Sequence, residues 1–152
     1  MRIIWLLPLL FACGPDDQPA PDAPPALFPD DYASTYTEVR NCRNSIDHDL
    51  MRIRVLASPE ALQAYTDRTT AFPPGAIVLK EQFDDSDIDC AGPIVEITVM
   101  QKLDVPDQLG WAWQKTNAAH AQIEFDQKKC VNCHMMCGVP SEGGYDGTCT
   151  QP

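Results

Sequence analysis

Apolar and polar positions along this chain follow two periods, one of two residues and one of three to four, and they divide it into elements. Met51, Ile53 and Val55 alternate with Arg52 and Arg54, which predicts a half-buried strand over Met51 to Leu56. Ser58-Pro59-Glu60 then opens a helix, with Ser58 at the cap and Pro59 in the first turn. Ala61, Leu62 and Tyr65 give that helix one apolar face, and Thr69-Thr70 ends it. After the turn Phe72-Pro73-Pro74-Gly75, a strand runs from Ala76 to Phe83, with Ile77, Leu79 and Phe83 on one face and Val78, Lys80 and Gln82 on the other. Asp84 to Asp89 is an acidic loop. Pro93 leads into a strand from Ile94 to Leu103, whose most apolar face is Val95, Ile97 and Val99. Val105-Pro106-Asp107 breaks the chain, and Gly110 to Lys115 forms a strand with Trp111 and Trp113 on one side, extended or closed by Ile123 and Phe125. A short helix or turn is predicted at Tyr36 to Cys42 and a short helix at Gln127 to Met136. The Gly-rich stretch from Gly138 to Pro152 carries few apolar residues and predicts no regular structure beyond a disulfide clip. The sum is an α+β fold, a mainly antiparallel β-sheet with flanking helices.

The first 31 residues fall outside that patterning. A positive start at Met1-Arg2, an apolar run from Ile3 to Phe11 and a small residue before Cys13 make residues 1–12 a secretory signal. The run is too short for a spanning helix, which needs about 20 apolar residues. Leu10-Phe11-Ala12-Cys13 resembles a lipobox, so Cys13 is the expected lipidation site; an ordinary signal cut elsewhere is the alternative. Residues 13–31, rich in Pro, Asp and Ala, read as an extended linker, and residues 32–152 as the folded domain. These readings place the protein outside the cytoplasm, anchored through Cys13 to the lipid bilayer of a bacterial membrane and facing the periplasm or cell surface.

A formal charge of −11 excludes nucleic acid as a partner, since that needs a basic footprint, and weakly favours cationic partners. Seven cysteines in an exported chain need an account. Cys13 goes to lipid, and Cys130 with Cys133 stand in Cys130-Val131-Asn132-Cys133-His134. The C-x-x-C-H pattern reads as covalent attachment of haem c: two thiols one helical turn apart add to the vinyl groups, and the adjacent imidazole meets the iron. Cys130 and Cys133 would be the thioethers and His134 the axial ligand. Two other readings use the same residues, a tail in which the cysteines pair with each other and a zinc site, although no second ligand pair stands elsewhere at zinc spacing. Under the haem reading Cys42, Cys90, Cys137 and Cys149 remain, with three connectivities open to them. Cys42–Cys90 and Cys137–Cys149 are favoured, because each pair sits in one region of the chain.

Five short motifs, in order, carry a family resemblance. Ala64-Tyr65 to Phe72-Pro73 resembles a helix exit "ayxxxxxxFP", and Phe72-Pro73-Pro74-Gly75-Ala76-Ile77-Val78-Leu79-Lys80-Glu81 resembles "FPxGtvivKE". Val99-Met100-Gln101-Lys102 resembles "VMxK", Gly110-Trp111-Ala112-Trp113 resembles "GWxW", and the C-x-x-C-H closes the set. Together, from about Tyr36 to His134, they resemble the cytochrome P-460 family, which includes cytochrome c′-beta. The resemblance implies an antiparallel sheet with flanking helices, one haem c, and commonly a homodimer. Some members oxidise hydroxylamine and others bind nitric oxide or similar gases without turnover; in the oxidising members a lysine links covalently to the haem ring. Matching of the "KE" motif would make that residue Lys80. On the strand pattern alone, Lys80 reads as a surface lysine with its stem along an apolar face. The chain departs from the family after the haem motif. Met135-Met136-Cys137-Gly138-Val139-Pro140 replaces the usual Asp-containing strand, and Glu142, the only Glu after the haem motif, stands in a context that does not match the family's distal carboxylate.

The remaining polar and sulfur residues read plainly. Met135 and Met136 read as packing residues rather than iron ligands, and Met51 and Met100 as strand core. His48, in Asp47-His48-Asp49, looks like a solvated loop, although members of the family it resembles can carry a His near there, and His120 has no evident partner. Trp111 and Trp113 read as core or haem wall. Asp84, Asp85, Asp87 and Asp89 lack the glycine and terminal glutamate of a calcium loop. Three functions follow: a mono-haem c protein that binds or oxidises hydroxylamine or nitric oxide and passes electrons to a soluble carrier protein; an electron carrier or gas binder without turnover; or a haem-free, disulfide-stapled lipoprotein.

Overall fold

The computed structural model describes residues 24–45, 48, 51–105, 107–137 and 144–149. Cys13, the signal-like segment and Glu142 lie outside them. Among the described residues the elements are α1 (Tyr32–Thr35), β1 (Thr37–Asn44), β2 (Arg52–Ala57), α2 (Pro59–Asp67), β3 (Ile77–Phe83), β4 (Glu96–Lys102), β5 (Trp111–Asn117) and α3 (Gln127–Met135), with a 3-10 turn at Asp107–Gly110 before β5. The five strands form one sheet in the order β1-β2-β3-β4-β5, each antiparallel to its neighbours, a meander with α2 inserted between β2 and β3. The α+β expectation holds. No helix among the described residues is long and apolar enough to cross a membrane.

Side chains paired across neighbouring strands share a face, so the register sorts the sheet into two surfaces. On the first, the row Ala57–Val78–Met100–Trp113 lies beside Val55–Lys80–Thr98–Lys115. Ala61, Ala64, Tyr65, Phe72 and Trp111 close over its apolar part. On the second, the row Leu56–Leu79–Val99–Gln114 lies beside Arg54–Glu81–Ile97–Thr116, and Phe28 and Tyr32 cover it. β3 is buried on both faces: Ile77, Val78, Leu79 and Phe83 pack in the two apolar clusters or beside them, and the buried Glu81 and Gln82 are held by polar partners. α2 begins where expected: the Ser58 hydroxyl accepts from the Ala61 N–H at 3.4 Å and from the Ile77 N–H at 3.1 Å, joining the helix cap to β3. Arg68, in the left-handed region at φ 53°, ends it.

Four expectations need correction. Tyr36 to Cys42 is not a helix or turn; Thr37–Asn44 is an edge strand whose register shifts between Glu38 and Arg40 and again between Arg40 and Arg43. Those bulges break the period-two pattern by which a strand is read. The linker reading to Asp31 also runs too far. Leu27 N–H donates to Gln114 Oε1 at 2.8 Å, Gln114 Nε2 donates to Pro25 O at 2.9 Å, and Phe28 is buried edge-on against Tyr32. The buried Phe28, the partly buried Ala26 and Leu27 and the two Gln114 bonds fix this Pro-rich stretch to the sheet. Ile123 and Phe125 add no strand; a single bridge, Thr116 to Gln122, continues β5. Val95, assigned to the apolar face of β4, is exposed and precedes the strand, whereas Ile97 and Val99 are buried.

Both favoured disulfides are present, Cys42–Cys90 and Cys137–Cys149. The second sheet face holds one buried charge cluster. Glu81, 1% exposed, takes Arg54 Nη2 at 2.6 Å, and its other oxygen accepts from the Tyr32 hydroxyl at 2.9 Å. Burial first, and the Glu81 charge second, hold the Tyr32 phenol well above its ordinary range.

Candidate functional site

α3 is capped by Asp126, whose carboxylate accepts from the Lys128 and Lys129 N–H groups at 3.0 and 3.3 Å. This carboxylate at the helix start is also favoured by the helix dipole. Three and four residues later on a helix means the same side, so Cys130, Cys133 and His134 form one stripe. The helix lies beside β5 and the 3-10 turn, with the His134 and Trp113 ring centroids 4.7 Å apart and edge to face, while Cys130 is half-buried and Cys133 is exposed. Cys130 and Cys133 are free thiols, whereas Cys42, Cys90, Cys137 and Cys149 are all paired. The favoured pairing of Cys42 with Cys90 and of Cys137 with Cys149 is therefore the one seen, and it leaves Cys130 and Cys133 unpaired.

His134 Nδ1 lies 2.6 Å from the Gly147 carbonyl. A carbonyl only accepts, so Nδ1 carries the proton and Nε2 keeps its lone pair. Burial lowers the imidazole pKa, the Gly147 bond works against that, and Lys80 lowers it further. Burial raises the Cys130 thiol, with the Lys80 charge opposing. Lys80 thus acts on both a candidate thioether and the candidate ligand, and it stands on the first sheet face in the row Val55–Lys80–Thr98–Lys115.

Lys80 Nζ meets His48 Nε2 at 2.6 Å. His48 is not the solvated loop residue its flanking aspartates suggest. Burial first, then Lys80, His134, Lys115 and Lys129, push its pKa down to about 3, so it stays neutral and accepts from the Lys80 ammonium. No signal within Asp47-His48-Asp49 announces this; the partner lies 32 residues away on β3. Lys115 is balanced by Glu96 at 2.7 Å, and Glu96 Oε1 also accepts from the Gln82 amide. Glu96 is a carboxylate on the Lys80 face that the sequence reading did not single out.

Other candidates fall away from this centre. Met135 and Met136 are 54% and 69% exposed, so they do not pack as expected. Met100 is core, and Met51 is half-buried just before β2. His120 pairs with Asp30 at 2.9 Å and rests against Phe28 and Tyr32, a structural role. In the acidic loop Asp84 takes the Ser86 N–H and Asp87 the N–H groups of Ala91 and Gly92. No cluster of potential metal-ligating side chains occurs among the described residues.

The donor set suits haem. Two unpaired thiols a helical turn apart and an adjacent imidazole with Nε2 uncommitted are what covalent haem attachment requires, and the Trp113 indole lies against that imidazole. The lysines around His48 also suit a group bearing carboxylates in a chain that is otherwise acidic. No curated protein matches the chain. A family model described as Cytochrome P460 matches residues 29–138, most of the sequence and nearly all of the folded part. The chain therefore belongs to the cytochrome P460 family, whose members bind haem.

Proposed function

We propose that this protein is an extracytoplasmic mono-haem c cytochrome that binds or oxidises small nitrogen species such as hydroxylamine or nitric oxide. The observation that carries the reading is the stripe on α3: free thiols at Cys130 and Cys133 beside an imidazole whose Nδ1 is already committed to Gly147. Cys130 and Cys133 would hold one haem covalently, and His134 Nε2 would bind its iron. The bound haem supplies a metal that takes a nitrogen ligand and exchanges electrons. The chain supplies the setting. Gly147 fixes the His134 tautomer, Trp113 walls the ring, and His48 holds Lys80 in place. Lys80 is the residue that would link to the haem ring, and its amine also supplies positive charge. Electrons would pass to a soluble carrier protein. Lipid attachment at Cys13 would keep the domain at a bacterial membrane, and a homodimer is the expected assembly.

The test is the absorption spectrum of protein made in cells that attach haem c, before and after adding nitric oxide or hydroxylamine, alongside Lys80→Ala. A main band strongly shifted to the red that returns to an ordinary position in Lys80→Ala supports the cross-link and oxidation. An ordinary band that moves only with nitric oxide leaves gas binding without turnover. A spectrum unchanged by either ligand removes the small-nitrogen reading and leaves an electron carrier.

A further inference from the structure

We propose that the disulfide-closed tail is a proximal clamp, which presents the Gly147 carbonyl to His134 and so sets how strongly that imidazole binds iron. The inference rests on the haem reading above and assigns a positioning role to Cys137, Cys149, Asp146 and Gly147.

The tail is tied to α3 and to the sheet separately. On the helix side, Cys137 N–H donates to His134 O at 3.0 Å, so Cys137 sits one turn beyond the ligand. Its disulfide to Cys149 brings the chain back. There Tyr145 and Thr148 exchange N–H···O bonds of 3.0 and 2.8 Å around Asp146 and Gly147, at φ 47° and 80°. Two left-handed residues make a tight turn of the hairpin kind. On the sheet side, fully buried Trp111 donates its Nε1–H to Asp146 O at 2.8 Å, and Lys102 Nζ meets the Asp146 carboxylate at 2.9 and 3.0 Å. A Cβ on Gly147 would stand 3.3 Å from Trp111 Nε1, and the left-handed φ also favours glycine. Two side chains of the sheet and one disulfide therefore hold a backbone carbonyl 2.6 Å from His134 Nδ1.

An acceptor on Nδ1–H fixes ring orientation and makes Nε2 a stronger donor, which favours ferric iron. Removal of such a partner costs roughly 10- to 100-fold in metal affinity or activity. Where that loss falls on ferric iron alone, its lower end corresponds to a shift of the reduction equilibrium toward ferrous iron of at most about tenfold, or about 59 mV for one electron. Two variants of the full-length protein test this by different routes. Cys137→Ser with Cys149→Ser opens the tail; Gly147→Ala keeps the disulfide and displaces the carbonyl. The readouts are the iron–histidine stretching frequency of the ferrous protein, the reduction potential, and the nitrogen-15 signal of His134 Nδ1–H. Both variants should lower the frequency, raise the potential and speed exchange of that proton. Unchanged frequency and proton signal in both would overturn the clamp. If the wild-type chain takes up no covalent haem, the functional reading falls instead. The proton signal in the haem-free protein then decides the clamp alone: slow exchange in wild type and fast exchange in both variants supports it, and equal rates refute it.

Discussion

The Cys42–Cys90 bond closes a loop of 48 residues, the span that contains both His48 and Lys80. Replacing both cysteines with alanine frees that loop in the unfolded chain. The chain-entropy relation gives about 4 kcal/mol for this length, against about 3 kcal/mol for the twelve-residue Cys137–Cys149 loop. At about 2.1 cal/mol/K per residue and roughly 120 folded residues, 4 kcal/mol lowers Tm by about 16 °C. The assay is urea and thermal unfolding of the wild-type and Cys42→Ala/Cys90→Ala proteins. The loss acts through the unfolded state, so the folded site should keep its geometry and the haem-loaded spectrum should not change. The Cys137→Ser/Cys149→Ser protein should show the reverse balance, a smaller stability loss and an altered proximal signature. A loss below about 1 kcal/mol, or a spectrum as disturbed as that of the tail variant, would refute the reasoning.

Three further outcomes follow from single contacts. The folded pKa of His48 is about 3 and its unfolded value is ordinary, so the two states differ only below about pH 6.5, where the unfolded chain takes up a proton that the folded site refuses. Stability should therefore fall with acid by up to about 1.4 kcal/mol per pH unit from this group, and a His48→Gln variant should be flatter between pH 6.5 and 3; identical slopes in urea titrations would contradict the buried, neutral histidine. Arg54→Leu leaves the Glu81 carboxylate buried with only Tyr32 for company, and should cost about 3–5 kcal/mol, most of it recovered by adding Glu81→Leu. Full stability in the single variant would mean that this cluster is better hydrated than its 1% exposure implies. Ser58→Ala removes an acceptor for two N–H groups in a buried position and should cost about 1–2 kcal/mol by denaturant midpoint; no change would mean that both groups find water.

The central strands were legible because each has a reason local to its own residues. β3 and the helix before it carry a Ser-Pro cap, a Pro-Pro-Gly turn and an apolar run, and none depends on distant contacts. β1 was hidden by its bulges and its charged side chains, which belong to an edge strand. Phe28 was hidden by the Pro-rich average around it, and its burial depends on a sheet face built from residues more than twenty positions later. At the site, Cys130, Cys133, His134 and the two disulfides were readable from spacing and number. Lys80 was readable only through resemblance. His48 was marked only by that same resemblance, because its environment is set by β3 and α3. Gly147 contributes a backbone carbonyl, which every residue has, so no side-chain pattern could have marked it.

The most direct test of the account is peptide mapping by mass spectrometry of protein produced with haem c attachment, together with a haem stain of the denatured chain. One haem per chain is expected on the peptide that contains Cys130 and Cys133, none in the Cys130→Ala/Cys133→Ala variant, and intact Cys42–Cys90 and Cys137–Cys149 bonds in both. A wild-type chain that folds with both disulfides yet carries no covalent haem would contradict it.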